Sequence, residues 1–357
     1  MGSDDSKFRT QDSRTRSQLL FTAFVVGLLS GFVIAQGAYL KALGSSATSS
    51  ISSISPKMSP PSSRPNKSLM KVLKKVAPNK EVLITISNAN MMEGEKMLEI
   101  WLETVKASGV KNFLVVALDK KLEEMLKRDS VNVFLMEIDF NNGPQAKTGD
   151  NHAISAQKYG IIKEFLEVGW NVLLSDTDIA VLKNPFKYIH RDHDVESMTD
   201  GFDDKTAYGS IEAIDDPSMG WSRYAQAVRH MNLNSGLFYL NANPRTISLM
   251  DRLSVRLRRD KYWDQTAFNE EIFFLSHGNY SSPQVSVRVL DINQFMNSKY
   301  LFKFVRYKPK AEQPDPVMVH INYHPDKANR MKAVIKRYAM GDEHALDSFP
   351  GGSEPGS

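Results

Sequence analysis

From residue 81 onward the apolar and polar positions follow two alternating rhythms. Glu81 to Ser87 (EVLITIS), Asn112 to Leu118 (NFLVVAL) and Val131 to Met136 are short, nearly unbroken apolar runs rich in branched residues, the pattern of buried strands. Gly94 to Ala107, Lys120 to Lys127 and His152 to Val168 place their apolar residues at helical spacing. Strand and helix therefore alternate, which predicts an α/β domain with a mostly parallel sheet flanked by helices. The stretch Trp170 to Phe186, WNVLLSDTDIAVLKNPF, continues the rhythm with a fourth strand. Its apolar run, Asn171 to Leu174 and again Ile179 to Leu182, is interrupted by Asp176 and Asp178 and closed by Asn184-Pro185.

That interruption carries the first chemistry. Side chains alternate along a strand, so residues two apart are expected on one face. Two carboxylates on one face at the end of a buried strand repel each other and resist burial unless a cation or hydrogen-bond donors lie between them. Hard oxygen ligands suit Mg²⁺ or Mn²⁺, which commonly bind one or two carboxylates together with substrate phosphates. In mostly parallel sheets ligands collect beyond the carboxyl ends of the strands, where Asn88 and Asn90 also fall. Haloacid-dehalogenase-like phosphatases also end an apolar strand in Asp-x-Asp, but on the first strand of the domain. Here about 100 residues of alternating strand and helix come first.

The ends of the chain follow other rules. Leu19 to Leu40 is twenty-two residues without a charge, about 33 Å as a helix against a hydrocarbon core of about 30 Å. Lys7, Arg9, Arg14 and Arg16 precede it, whereas only Lys41 and Lys57 follow closely. This bias predicts an uncleaved anchor with the N-terminus in the cytoplasm and the body in a lumen. A signal peptide cleaved near Ala35-Gln36-Gly37 is the competing reading. The expected organisation is a tail at 1–18, a transmembrane anchor at 19–40, a Ser/Pro-rich disordered stem at 41–68, a single domain at 69–350 and a flexible C-terminus at 351–357. The sequons at Asn66 and Asn279 would then face the glycosylation machinery.

Composition narrows the classes. The chain has 357 residues and no cysteine, so disulfides, cysteine-ligated zinc and thiol nucleophiles are excluded. Its net charge is +4, spread without a basic stripe interleaved with aromatics, which argues against nucleic acid as a partner.

Further segments carry a resemblance. RDHDVESMTDGFDDKTAYG, MGWSRYA, LNSGLFYL, WDQTAFNEEIFFLSHG, VSVRVLDINQFMNSKYLFK and VMVHINYHPDKANRM follow LLSDTDIAVLKNPF in order. Together they resemble the GT-A type nucleotide-sugar glycosyltransferases, and within family 77 the plant extensin arabinosyltransferases of the reduced-residual-arabinose type, over about Glu81 to Pro350. The resemblance implies a Rossmann-like GT-A sheet in a Golgi membrane enzyme of the single-pass type II kind. It also implies transfer of L-arabinofuranose from UDP-arabinofuranose to arabinosylated hydroxyproline on extensin-type glycoproteins, through a β-1,2 bond and with retention of configuration.

Roles follow from the resemblance residue by residue. Asp176 and Asp178 match the metal-binding Asp-x-Asp, for Mn²⁺ or Mg²⁺, and His320 matches the histidine that completes the coordination, with His324, four residues on, not excluded by the spacing. Lys158, Asn234, Ser235, Gly236 and Lys327 are implied on the donor side, where Asn88 also falls by its place after the first strand, and Asp264-Gln265 near the reacting carbon. Trp263 reads more readily as core than as a platform for a sugar. Arg245 to Lys261, with Ile247, Met250, Leu253 and Leu257 on one face, reads as a surface helix. The acidic stretch from Asp192 to Asp216 is either a solvated loop or an acceptor cleft that steers a Lys-bearing peptide through Asp203, Asp204, Asp215 and Asp216. Two other functions stay open: the same fold using xylose or galactose, and a catalytically silent Golgi partner subunit.

Overall fold

The structure is a computed structural model, and it describes residues 65–137, 150–208, 232–273 and 285–352. Of the sequence expectations, the membrane span at 19–40, the stem up to residue 64, Asp215, Asp216 and the Asn279 sequon lie outside the described residues. No helix among the described residues is long and apolar enough to cross a membrane.

Seven strands form the main sheet: β1 (Glu81–Ser87), β2 (Phe113–Ala117), β3 (Val133–Leu135), β4 (Asn171–Ser175), β6 (Val195–Thr199), β7 (Leu233–Leu240) and β8 (Val287–Val289). Their spatial order is β3-β2-β1-β4-β7-β6-β8. The pairings from β3 to β4 are parallel, β7 runs antiparallel to both neighbours, and β6 pairs parallel with β8. A mostly parallel sheet is therefore present, mixed by the one reversed strand. A second sheet of three short strands has the order β5-β10-β9, from Ile179–Val181, Met318–His320 and Phe295–Asn297.

The two-residue period of the strands builds two cores. Leu83, Val115, Leu173, Leu237 and Tyr239 face one side. They pack there with Trp101 and Leu98 of helix α2 (Met97–Ala107), Met331 and Val334 of helix α9 (Lys327–Ala339) and the small sheet. Val82, Ile84, Leu114, Val116, Val172, Leu174 and Phe238 face the other side. Against these lie α1 (Lys67–Val76), α4 (Asp150–Glu167), α6 (Pro244–Arg259) and α7 (Asp264–Phe273). Several helices start at side-chain caps. Asn66 accepts from Leu69 N, Asp119 from Leu122 N at the start of α3 (Lys120–Arg128), and Asn243 forms a capping box with Thr246 behind Pro244.

Two expectations need correction, and the sequon asparagine Asn66 also takes part in the fold. The run around Asp176 and Asp178 is not one strand. β4 stops at Ser175, a turn carries both aspartates, and β5 joins the small sheet. Carboxylates that must converge on one point leave the ladder, because strand alternation would aim both straight off the sheet. The segment Pro244–Arg259 buries its apolar face at Met250, Leu253 and Leu257 as expected, but it also buries Arg256, 3% exposed, which pairs with Glu271 at 3.2 Å and with Glu270 on α7. The sequon asparagine Asn66 is engaged, with its Nδ2 donating to Glu164 at 2.7 Å and its Oδ1 capping α1.

Candidate active site

Backbone pairing brings the aspartates and one histidine together. The amide of Asp176 donates to Gly236 O at 2.8 Å, which ties the end of β4 to β7. On the far side of the turn, β5 pairs with β10 so that His320 lies opposite Ile179, and the Ile321 amide donates to Asp178 O at 2.9 Å. Trp101 Nε1 donates to Ser175 Oγ at 2.9 Å and steadies the strand end from below.

Asp176, Asp178 and His320 each offer one ligand atom, and these atoms all lie within 4.8 Å of one another. His320 Nε2 is 3.0 Å from Asp178 Oδ1. Two ligands at right angles, each about 2.1 Å from an Mg²⁺-like ion, are about 3.0 Å apart. That Oδ1 is buried and has no hydrogen bond of good geometry, its near polar neighbour being the His320 ring nitrogen, an arrangement a cation between the two would satisfy. Gly236 makes the room: a Cβ built on it would sit 2.6 Å from Asp176 Oδ2 and 2.7 Å from His320 Cε1. The donor set of hard oxygens and one imidazole therefore fits a divalent cation.

Electrostatics agree with an incomplete charge balance. Burial pushes the Asp176 carboxyl above the usual range, Lys158 opposes the rise and the Asp178 carboxylate adds to it. Burial acts on Asp178 in the same direction, but His320 and Lys327 outweigh it and hold that carboxyl far below. Lys327 Nζ lies 2.5 Å from Asp178 Oδ2. His324 is not part of this group. It is buried with its ring edge-on to Phe302, and burial together with Arg330 lowers its pKa to about 4.

Two cavities meet at the two aspartates of the triad. One, of about 280 Å³, is lined by Lys158, Asn234, Ser235, Gly236, Asp264 and Gln265 among others. The other, of about 470 Å³, runs past Ile86, Ser87, Asn90 and Met91 at the end of β1. Both include Ser155, Asp176, Asp178 and Lys327. Asn90 rather than Asn88 lines the second cavity, and Asn88 keeps a buried Oδ1 without a hydrogen-bond partner.

The smaller cavity has a braced floor. Lys158 Nζ is 2.6 Å from Asp264 Oδ2 and donates to Ser235 O at 2.7 Å, with both charged side chains buried. Ser235 Oγ donates to the same carboxylate oxygen at 3.0 Å. Burial works to raise the Asp264 pKa, yet Lys158 and Ser235 outweigh it and keep the group ionised. Lys158, implied at the phosphates by the resemblance, is thus placed on Asp264 by the structure.

Some residues at this cavity were not assigned to it from the sequence. Asp200, Trp263, Asn322 and Tyr323 line it, whereas Asp203 and Asp204 do not. Trp263 is 41% exposed at the cavity and is not core. Most of the rest of the described acidic stretch has local partners, Asp204 being exposed at the start of a short helix. Asp192 pairs with Arg288, Asp194 with Arg245, Glu196 accepts from the His190 and Arg191 amides, and Asp203 accepts from Thr206 N. Asp200 alone of that stretch reaches the cavity, from the loop after β6. Its position beyond a strand's carboxyl end was a legible signal, hidden because Glu196 and Ser197 disguise VESMT as a loop.

A family model described as nucleotide-diphospho-sugar transferase matches residues 108–334. Arabinosyltransferase RRA2 of Arabidopsis thaliana is 46% identical over 289 residues, which cover 81% of this chain and 67% of the relative. Arabinosyltransferase RRA1 of the same plant is 41% identical over 293 residues, 82% of this chain and 72% of the relative. A solved galactosyltransferase, LgtC with donor and acceptor sugar analogues, is 12% identical with a TM-score of 0.44, covering 72% of this chain and 96% of that one.

Proposed function

The chain belongs to the nucleotide-diphospho-sugar transferase family, as a glycosyltransferase of the RRA arabinosyltransferase type, and from that premise we propose that it moves L-arabinofuranose from UDP-arabinofuranose to arabinosylated hydroxyproline on extensin-type glycoproteins. The observation that carries this reading is the triad at the junction of two cavities. A sugar nucleotide has that division: a nucleoside, a diphosphate and a sugar, with the reacting bond at the diphosphate. The larger cavity beyond β1 takes the uridine, the junction takes the diphosphate, and the smaller cavity takes the sugar.

Asp176, Asp178 and His320 would hold a Mn²⁺ or Mg²⁺ ion, which when bound supplies positive charge to the departing diphosphate. Lys327 stands at the same junction and adds a second positive charge. In the transfer, the acceptor hydroxyl oxygen forms the new bond to the anomeric carbon and the bond to the β-phosphate oxygen breaks. The electron pair leaves with UDP, whose phosphate oxygen takes the hydroxyl proton. Retention then follows from departure and attack on one face. Asp264 holds a buried ammonium and a hydroxyl on its Oδ2, a bracing role, and the same-face route needs no carboxylate nucleophile. The residues of the smaller cavity instead hold the sugar and stabilise positive charge at its reacting carbon. Residues 19–40 would anchor this catalytic body in the Golgi membrane with the body in the lumen.

UDP release from a panel of UDP-sugars, with and without an arabinosylated hydroxyproline peptide, tests the proposal. UDP-arabinofuranose is expected to be the preferred donor and the peptide to stimulate release. Chelator should abolish turnover and Mn²⁺ or Mg²⁺ restore it. Preference for UDP-xylose or UDP-galactose would overturn the donor assignment, and full activity in chelator would overturn the metal assignment.

A further inference from the structure

Asp200 is 3% exposed and lines the smaller cavity. Its carboxylate accepts from three side-chain amides carried by three separate parts of the fold. Asn234 Nδ2 donates to Oδ1 at 2.7 Å, Asn322 Nδ2 to Oδ1 at 2.8 Å, and Gln265 Nε2 to Oδ2 at 2.8 Å.

Which end of each amide faces Asp200 is settled for two of them by backbone groups. Asn234 Oδ1 accepts from Gly236 N at 2.8 Å, and Gln265 Oε1 accepts from Ser235 N at 3.3 Å. A backbone N–H only donates, so both carbonyl ends are committed and both NH₂ ends must point at Asp200. A carboxylate can receive all three, and although burial raises the Asp200 pKa, the amides of Gln265, Asn234 and Asn322 oppose the rise. The carboxylate is held in place from behind: its own amide donates to Asn232 O at 2.9 Å, and Asn297 Nδ2 clamps the carbonyls of Thr199 and Gly201 at 3.2 and 2.6 Å. Gly201 itself is packed so closely that a Cβ there would lie 2.6 Å from Ala207 N.

An ionised carboxylate offers about four acceptor positions, and three are used. The remaining one is on Oδ2, and Asp200 lines the cavity. We propose that Asp200 sets the hydrogen-bonding polarity of the sugar pocket, positioning Asn234 and Gln265, and receives one sugar hydroxyl on Oδ2. This rests on the reading of the smaller cavity as the sugar side of a UDP-sugar site. The hydroxyl belongs either to the donor sugar or to the acceptor sugar; both present the same chemistry to Asp200.

Asp200→Asn keeps the size of the side chain but sets an NH₂ against one or more of the three NH₂ donors. The test measures, with Mn²⁺ present, the Kd of UDP, the Kd of UDP-arabinofuranose and the KM of an arabinosylated peptide, alongside thermal melting. UDP binding should stay within about twofold of wild type, since the diphosphate and uridine lie elsewhere. A donor hydroxyl is indicated if the extra affinity of UDP-arabinofuranose over UDP falls roughly ten- to hundredfold, the range expected for one or two mispaired buried hydrogen bonds. An acceptor hydroxyl is indicated if the peptide KM rises by that factor and the donor increment stays. Equal weakening of UDP and UDP-arabinofuranose overturns the proposal, as does no change in either sugar parameter. If Asp200→Asn does not fold, Asn322→Ala removes one donor from the same carboxylate and should shift the same parameter by a smaller, roughly three- to tenfold, factor; no shift there overturns it too. Failure of the wild type to bind UDP at all sinks the site reading itself, before Asp200 is questioned.

Discussion

Adding one methyl group at Gly236 should disable the metal site and leave the fold standing. A Cβ there lies 2.6 Å from Asp176 Oδ2 and 2.7 Å from His320 Cε1, about 0.8 Å inside ordinary van der Waals contact. The backbone of Gly236 has no positive φ that alanine would resist. Its place in β7, with Gly236 O receiving the Asp176 amide, is unaffected by a side chain. Asp176 Oδ2 is the far end of a side chain and can swing aside, so the cost to stability should be about 1 kcal/mol, at the low end of overpacking. The metal ligands have no such latitude, because a working site tolerates displacements of about 0.2 Å. Displacing two ligands of three should weaken Mn²⁺ binding by at least about a hundredfold, beyond the range seen when only an outer-shell partner is lost. Calorimetric titration of Mn²⁺ into the Gly236→Ala protein with UDP present, beside a thermal melt, reads both quantities. A folded variant whose Mn²⁺ affinity is within about threefold of wild type would refute the cradle argument, since the clash is geometric and leaves no other way out.

Two further outcomes follow from the same geometry. Burial acts to raise the Asp194 carboxyl, but Arg245, the Ser286 amide and Asn243 outweigh it and hold the pKa at about 2, below the unfolded value of about 3.9. The resulting stability is present above pH 4 and is lost as pH falls from about 4 to about 2, so Asp194→Asn should cost about 1–2 kcal/mol in urea unfolding at pH 7, after allowing for the exposure of Arg245, and little near pH 2; an equal loss at both would contradict the linkage. Trp263, 41% exposed beside Asp264 and Gln265, offers an indole face to an acceptor sugar, so Trp263→Ala should raise the acceptor KM roughly tenfold with donor hydrolysis retained and Trp263→Phe should recover most of it; a rise in donor KM instead would place the ring on the donor side.

The periodicity of the sequence determined the early strands and helices, because their two faces are buried independently: Leu83 and Leu173 go to one core, Val82, Ile84, Val172 and Leu174 to the other, and that alternation is local information. Asp176 and Asp178 were legible for a related reason, since charge inside an apolar run demands a partner wherever the chain goes. The resemblance pointed to His320, but spacing did not exclude His324. Only the β5–β10 register set His320 opposite Ile179 and beside the aspartates, while His324 fell against Phe302. Lys158 could be placed on its helix but not on Asp264, 106 positions later, because an ion pair across that separation depends on how α4 and α7 cross the sheet. Asp200 was the least legible. Its function comes from Asn234, Gln265 and Asn322, which converge from three distant segments, and a carboxylate's hydrogen-bonding partners are fixed by where the folded backbone delivers them, a fact no spacing along the chain records.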